Sequence, residues 1–315
     1  MPKKAAWWVK SFFQFKKTNK NMQQSTNPIT ITLGDKLGVF FWRNIAMPAI
    51  AAIGGKKYPS GRVTEFAYGD LPDEKLDYII PSQSSEKRLA IVHIHGGAWI
   101  AGSKGNFYAK PLMKFSEAGY PIFSLNYPLA PKQQHPYMLR SLLKALIWIK
   151  KNYPQYDTIH LIGDSAGGNL AMMLGIFISN PELLRQLDNI NINTLPKIKT
   201  VVDLFGVNDR TSWQEDGFPS AKLFTKVYIQ NTTAPNIPMV PMDFEHIENL
   251  PSIFIVGAGN DKLLRSSKIW AEHIGKQFKD VQFKIYEGAD HGFFSFGKGC
   301  DELSEDMLAF FKEMG

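Results

Sequence analysis

The sequence predicts an α/β fold, in which a mostly parallel central sheet carries helices on both of its faces. Its 315 residues are 44% hydrophobic, a content that supports a large buried core. Short β-branched runs alternate along the chain with longer runs whose apolar residues have helical spacing. In such a sheet, functional side chains are expected at the carboxyl ends of the strands.

Three strands and two helices are predicted between residues 89 and 162. The first strand, Leu89–His95, is β-branched and lies between a polar segment and a glycine pair. A helix at Tyr108–Ala118 stops at a glycine, and the second strand is Pro121–Asn126. A helix at Tyr137–Lys151 ends in lysines, which the helix dipole favours, and the third strand is Thr158–Ile162.

The remaining predicted elements follow a glycine-flanked turn at Gly163–Gly168. A helix at Asn169–Ser179 comes first, and three further strands are predicted at Lys199–Leu204, Ser252–Val256 and Val281–Tyr286. The alternation of strands with helical segments favours parallel pairing, because parallel strands need a crossover connection, which is usually a helix.

Composition and charge exclude several classes of protein. One cysteine, Cys300, cannot close an internal disulfide, and no cysteine cluster is present to hold zinc. A disulfide-stapled secreted protein is therefore not expected, and the cytoplasm is the predicted location. The net charge of +7 is a moderate excess that favours acidic surfaces. No nucleic-acid partner, cofactor or metal is predicted.

The most basic part of the chain is Pro2–Lys20, which contains six lysines, five aromatic residues and no acidic residue. A signal peptide needs an uninterrupted apolar segment, which these lysines break, so a signal peptide is not predicted here. Two interpretations remain: a helix that packs its aromatic face on the body, which we favour, or peripheral contact with an anionic membrane. The next apolar stretch, Leu37–Ile53, is too short to span a membrane and contains Arg43 and Pro48.

The most specific motif is GDSAGG, in which Gly163, Ser165 and Gly167 fit the pattern G-x-S-x-G. A serine at the apex of a strand-to-helix turn projects its hydroxyl outward, and small flanking residues let neighbouring chain pass close by. The amides of the following helix point toward that oxygen. Ser165 is therefore the predicted nucleophile.

The strand Leu89–His95 leads directly into a second motif, HGGAW. A serine nucleophile needs backbone N–H groups that stabilise an oxyanion, and glycines leave such groups accessible. Gly96 and Gly97 are the predicted donors, together with the amide of Ala166. His95 is expected to pin the loop by hydrogen bonding, and His93 to be a packed histidine.

The acid and the base are predicted in the loops after the last two strands. Asp261 follows Ser252–Val256, and His291 follows Val281–Tyr286. The order Ser, Asp, His is typical of serine hydrolases on an α/β sheet. His291 would accept the proton of Ser165, and Asp261 would hold its tautomer. Three other carboxylates are weaker candidates for the acid: Asp203, Asp209 and Asp290.

Together these residues resemble the hormone-sensitive-lipase-like branch of the α/β-hydrolase esterases. The motifs HGGAW, NYPLAP, GDSAGG, NDKLL and DHGF follow one another in that family's order between about Leu89 and Met314. Ala98 replaces the third glycine common in the family's HGGG loop, and Pro128 departs from its YRLAP-type stretch. An alanine still supplies an amide, and its methyl group is expected to narrow the acyl pocket.

The resemblance implies hydrolysis of carboxylic esters, with short to medium acyl chains, through an acyl-enzyme and without a cofactor. It also implies a helical cap, expected from residues 1–60 and from an insertion at about 181–246 within a catalytic domain at 61–315. Bulky side chains there are candidates for the pocket lining, although plain packing is the favoured interpretation for them: Phe205, Trp213, Phe218, Phe224 and Met242.

Two other functions stay open at this point. One is an amidase or deacetylase of the same fold, and the other is a small-molecule-binding protein on a hydrolase scaffold. Binding proteins of that kind usually lack a triad member, whereas Ser165, Asp261 and His291 are all present. The expected partners are a small-molecule ester and a second copy in a homodimer, with peripheral membrane contact through the N-terminus as the alternative noted above.

Overall fold

An eight-stranded sheet lies at the centre of the computed structural model, which describes residues 30–54, 58–82, 88–229 and 236–314. The strand order is β1-β2-β4-β3-β5-β6-β7-β8; β2 runs antiparallel to both of its neighbours, and every other pair is parallel. The strands are β1 Val63–Ala67, β2 Lys75–Ile79, β3 Leu89–Ile94, β4 Ile122–Leu125, β5 Thr158–Asp164, β6 Lys197–Leu204, β7 Ser252–Ala258 and β8 Val281–Tyr286.

Ten α-helices are present in the described residues. They are α1 Leu33–Phe41, α2 Met47–Gly54, α3 Ala109–Glu117, α4 Tyr137–Asn152, α5 Ala166–Ser179, α6 Pro181–Leu187, α7 Ser212–Glu215, α8 Ala221–Ile229, α9 Leu264–Gly275 and α10 Cys300–Glu313. Alternate residues of β3 enter different apolar clusters: Val92 and Ile94 pack in the cluster that includes α4, α5 and α9, and Ile91 packs in the cluster that includes α3 and α10. The predicted mostly parallel sheet with a helical layer on each face is therefore confirmed.

The first described helices form one continuous segment, residues 33–54, in which a π-helical turn at Trp42–Ala46 joins α1 to α2. Thr32 caps the start of α1: its hydroxyl accepts from the Asp35 N–H, and the Asp35 carboxylate accepts from the Thr32 N–H. Contacts with the body hold this segment, as described below.

Two regions differ from the sequence prediction. The antiparallel pair β1 and β2 was not expected, because both strands are short and carry charged residues such as Glu65 and Asp77. The predicted insertion at 181–246 begins too early, because residues 197–204 form the central strand β6. Of that predicted insertion, α6 lies before β6, and α7 and α8 follow it.

No helix among the described residues has the length and apolar character needed to cross a bilayer. The predicted N-terminal segment Pro2–Lys20 lies outside the described residues.

Candidate active site

Ser165 lies at the tight turn between β5 and α5. Its backbone has φ +55° and ψ −119°, a conformation that residues other than glycine rarely adopt. A Cβ on Gly163 would lie 2.1 Å from the carbonyl oxygen of Gly167, and a Cβ on Gly167 would lie 2.1 Å from that of Ile94. The turn therefore closes only with glycine at both positions, and it places Ser165 in the wall of a cavity.

The three predicted triad residues meet at this turn. His291 Nε2 lies 3.0 Å from Ser165 Oγ, and His291 Nδ1 lies 2.7 Å from Asp261 Oδ2. The second oxygen of the Asp261 carboxylate accepts the N–H of Leu263 at 3.0 Å, which fixes the orientation of the carboxylate. The strand ends thus bring together Ser165 and His291, which are 126 residues apart, and Asp261 and His291, which are 30 residues apart. This hydrogen-bonded chain can pass a proton from the serine to the histidine.

His291 sits between two aromatic rings. Phe205 and Phe218 approach the imidazole edge-on, with ring centroids 5.2 Å and 5.0 Å away. Burial lowers the pKa of His291, but the charge and hydrogen bond of Asp261, with the charge of Asp164, outweigh burial and raise the pKa above its ordinary value. The imidazolium form is thus stabilised where a proton would arrive.

The weaker candidates for the acid are engaged elsewhere. Asp203 is fully buried and accepts from Asn208 Nδ2 at 2.6 Å, and burial raises the pKa of Asp203 to about 7. Asp209 accepts the N–H of Ser212 at 2.7 Å, and Asp290 lies 3.2 Å from the Asn260 amide. Among these carboxylates and Asp261, only Asp261 is bonded to His291 in the described part of the chain.

The loop after β3 differs from the prediction at Gly96. The Gly96 N–H donates to Asp164 Oδ1 at 2.9 Å and to the Tyr108 hydroxyl at 3.0 Å. The prediction of Gly96 as an oxyanion donor is therefore wrong, because its N–H is already directed at a buried carboxylate. Asp164, which precedes the serine, thus ties residues 95–104, called the oxyanion loop below, to residues 163–168, called the serine turn.

Three N–H groups beside Ser165 have no acceptor among the described residues: those of Gly97, Ala98 and Ala166. Gly97 has φ +118° and Ala98 has φ +53°, so the chain turns sharply here. Ala98 was not among the predicted donors, and its N–H, which has no acceptor in the described part of the chain, adds it to the candidates. Gly97 and Ala166 remain candidates as predicted.

Remote side chains hold this loop in shape. Lys104 Nζ donates to Asp77 Oδ1 at 2.5 Å and to Glu65 Oε2 at 2.8 Å, and the Lys104 N–H donates to Asn126 Oδ1 at 2.7 Å. Lys104 is buried, so these two carboxylates on β1 and β2 compensate its charge in place of water. The unexpected strands therefore support the loop.

The histidines of the loop behave as predicted. His95 Nδ1 lies 2.7 Å from its neighbour's carbonyl oxygen, and its ring stacks on Tyr127 at 4.4 Å. Burial lowers the pKa of His95 to about 4, so the ring is neutral near pH 7. His93 is fully buried and bonded to the hydroxyl of Ser124 at 2.9 Å.

Arg43, in the π-helical turn, connects the N-terminal segment to this loop. Its Nε donates to the carbonyl oxygen of Ile100 at 2.8 Å, and its Nη2 donates to that of Ala130 at 2.6 Å. The N–H of Ile100 in turn donates to the carbonyl oxygen of Gly97 at 3.1 Å. One guanidinium therefore spans two loops beside the candidate oxyanion donors.

A mostly apolar cavity of about 270 Å³ opens at Ser165 and His291. Of the five candidate lining residues, Phe218 and Phe224 line it; Phe205, Trp213 and Met242 do not. Trp213 packs instead against Trp99, with ring centroids 6.2 Å apart. Further lining residues are Trp42, Met47 and Ile50 from the N-terminal segment, Ala98 and Ile100 from the oxyanion loop, and Phe107.

The described residues contain no group of three or more His, Cys, Asp and Glu side chains arranged to hold a metal ion.

A profile of the protein family described as BD-FAE matches residues 76–269, which is more than half of the chain. Esterase LipC of Mycobacterium tuberculosis is 23% identical over 262 residues, covering 78% of this chain and 63% of that protein. An esterase of Acinetobacter venetianus is 26% identical over 234 residues, covering 72% of this chain and 75% of that protein. The chain thus spans less than two thirds of the mycobacterial relative.

Among solved structures, esterase B from Lactobacillus rhamnosis superposes with a TM-score of 0.78 at 18% identity, covering 89% of this chain and 95% of that chain. This likeness concerns the fold. The predicted α/β-hydrolase fold is confirmed by it and by the strand order.

Proposed function

The chain belongs to the BD-FAE family, and we propose that it is a serine esterase that hydrolyses carboxylic esters through an acyl-enzyme. The predicted relation to the hormone-sensitive-lipase-like α/β-hydrolase esterases is confirmed at the level of family and fold. The observation that carries the proposal is the hydrogen-bonded chain from Ser165 through His291 to Asp261 at the wall of an apolar cavity.

In the first half of the proposed reaction, Ser165 Oγ attacks the carbonyl carbon of the ester while its proton passes to His291 Nε2. The tetrahedral oxyanion accepts from the N–H groups of Gly97, Ala98 and Ala166. Asp261 holds the Nδ1 proton and stabilises the imidazolium. The bond to the leaving oxygen then breaks, and that oxygen takes the proton from His291 and leaves as the alcohol.

In the second half, a water molecule attacks the acyl-enzyme. His291 accepts a proton from the water, and the oxyanion again accepts from the same N–H groups. The bond between the acyl carbon and Ser165 Oγ breaks, Ser165 recovers its proton from His291, and the carboxylic acid leaves. No cofactor takes part in either half.

The proposed substrates have short to medium acyl chains. A cavity of about 270 Å³ lies just below the usual volumes of ligand pockets, about 300 to 1,000 Å³, and its lining is mostly apolar. The Ala98 methyl group occupies part of the wall beside the N–H groups that would bind the oxyanion. These features support small acyl groups over long chains.

We also propose that the N-terminal segment at 33–54 and the region of α8 form a cap over the cavity. Trp42, Met47 and Ile50 line the cavity from the first of these, and Phe218 and Phe224 line it from the second. The predicted cap boundary at residue 60, the membrane contact of residues 2–20, the homodimer and the cytoplasmic location stay predictions.

Covalent labelling tests the nucleophile directly. We expect a fluorophosphonate to add one adduct to the wild-type chain, on the peptide that contains Ser165, because the activated hydroxyl displaces fluoride. The Ser165→Ala variant is the matched control and should stay unlabelled. Hydrolysis of p-nitrophenyl esters from acetate to dodecanoate then measures the preferred acyl length. A wild-type chain without adduct and without turnover would indicate a binding protein on a hydrolase scaffold.

A further inference from the structure

One surface of the N-terminal segment exposes an unusual amount of apolar area. Five of the eight exposed large hydrophobic side chains in the described part of the chain lie on α1 and the π-helical turn. Leu33 is 73% exposed, Leu37 61%, Phe40 58% and Ile45 53%; the fifth is Phe41. Their spacing places them along one side of a continuous helix. We call these five residues the outer face.

The opposite side of the same segment is fixed to the body beside the cavity. Trp42 lines the cavity and donates its indole N–H to the Ser220 hydroxyl at 3.0 Å. Asp35 accepts from Lys226 Nζ of α8 at 2.5 Å. The outer face is therefore the solvent side of a helical layer whose inner side lines the candidate active site.

Positive charge lies beside the outer face. A groove of about 250 Å³ beside it is lined by Lys36, Arg43 and Lys132, together with apolar residues that include Phe40, and it contains no acidic residue. In sequence, the 29 residues that precede the described chain carry six lysines and no acid. A partner of this surface must therefore be apolar at the centre and negatively charged around it.

We propose that the outer face docks on the surface of an anionic lipid bilayer. Its apolar side chains would enter the boundary between headgroups and acyl chains, while Lys36 and Lys132 would pair with lipid phosphates. Resting on the proposed esterase function, this docking would hold at the lipid surface the helical segment that carries Trp42 on its inner side. The candidate active site would then lie close to esters that partition into the bilayer.

A second copy of the chain fits this surface less well. In a two-fold symmetric dimer the same patch faces itself, so Lys36 and Lys132 of both copies would approach one another. Like charges at such short range oppose association, whereas anionic lipid compensates them. The charges therefore favour lipid over self-association.

Vesicle sedimentation of the full chain tests the proposal without any substrate, so its result is independent of esterase activity. The probes are vesicles of phosphatidylcholine alone and of a three-to-one mixture of phosphatidylcholine with phosphatidylglycerol, each at low and at moderate salt. The variant is Leu33→Gln with Leu37→Gln, and the matched control is Ile192→Gln with Phe283→Gln, two exposed apolar side chains elsewhere on the fold. Turnover of p-nitrophenyl acetate in solution reports whether each variant is folded.

We expect the wild-type chain and the control variant to sediment with the anionic vesicles at low salt, and the bound fraction to fall as salt rises. The Leu33, Leu37 variant should bind about tenfold more weakly while keeping wild-type turnover of the soluble ester. Absence of wild-type binding, equal binding to neutral vesicles, or unchanged binding of the variant would overturn the proposal. So would light scattering that shows a wild-type dimer which the variant converts to a monomer.

Discussion

The loops that follow β3 and β5 lie side by side, because these two strands are neighbours in the sheet. The two loops are held in shape by different means. The serine turn, residues 163–168, is fixed by backbone contacts: it packs closely against the strand end at Ile94, and the Ser165 N–H donates to the carbonyl oxygen of Leu204 at 2.8 Å. The oxyanion loop, residues 95–104, is fixed by side chains from distant parts of the chain, among them Asp164, Asp77 and Arg43.

This difference predicts different sensitivities to mutation. The serine turn depends on a few neighbouring positions, so its geometry should survive most substitutions elsewhere. The oxyanion loop depends on hydrogen bonds from several separate elements, so remote substitutions should lower activity through it. Variants that remove one support at a time can test this contrast.

The largest effect in this set is expected at the acid, whose loss leaves both loops intact. Asp261→Asn should reduce kcat by about 10⁴-fold, because an amide favours the wrong tautomer of His291 and no longer stabilises the imidazolium. Steady-state kinetics on a p-nitrophenyl ester measure this change. Asp290→Asn is the matched control, since Asp290 is the sequence neighbour of His291 and pairs with Asn260. Equal losses in the two variants would contradict the assignment of Asp261.

The pH profile adds an independent measurement on Asp261→Asn. His291 must be neutral to accept a proton, so kcat/KM falls as pH drops through its pKa. The carboxylate of Asp261 raises that pKa, and its removal should therefore move the acid limb of the profile to lower pH. An acid limb that stays in place would mean that another group sets the pKa of His291.

A smaller effect is expected where the two loops are linked. Asp164→Ala removes the acceptor of the Gly96 N–H and of the Tyr108 hydroxyl, so the oxyanion loop loses its tie to the serine turn. We expect kcat to fall by about 10²-fold, the cost of a displaced oxyanion donor, with a smaller change in KM. Tyr108→Phe, which keeps the bond from Gly96 to Asp164, is the milder comparison. A wild-type kcat for Asp164→Ala would show that the loop keeps its shape unaided.

The same contrast explains which parts of the candidate site could be predicted from the sequence alone. The three predicted triad residues lie together in the structure, and their positions could be predicted because G-x-S-x-G demands a particular turn and because Asp261 and His291 each follow a strand in the expected order. Gly96 was misassigned because its acceptor, Asp164, lies 68 residues away, and no local pattern shows which N–H groups that carboxylate takes. The roles of these residues in catalysis are for the variants above to test.

In the fold, too, the elements that were not predicted make contacts with residues far away in the sequence. Buried strands such as β3 and β5 were predictable because each is a short, mostly apolar run rich in β-branched residues and followed by glycines. The short strands β1 and β2, at one end of the sheet, contain Glu65 and Asp77, and Lys104 pairs with both of these carboxylates. Lys104 comes later in the chain, so periodicity within the two strands does not reveal this pairing.

The smallest effect is expected at Arg43, which supports the oxyanion loop from outside the sheet. Its planar guanidinium reaches the carbonyl oxygens of Ile100 and Ala130 together, and a lysine presents a single ammonium group that would keep one of these bonds. Loss of one bond, at about 1 kcal/mol, corresponds to a decrease in kcat of about fivefold in Arg43→Lys. The matched control is Arg140→Lys, since Arg140 also donates to a carbonyl oxygen, that of Leu187, away from the cavity. A decrease in Arg43→Lys alone would show that the N-terminal segment supports the loop as well as covering the cavity, whereas equal kcat values in both variants would show that it only covers it.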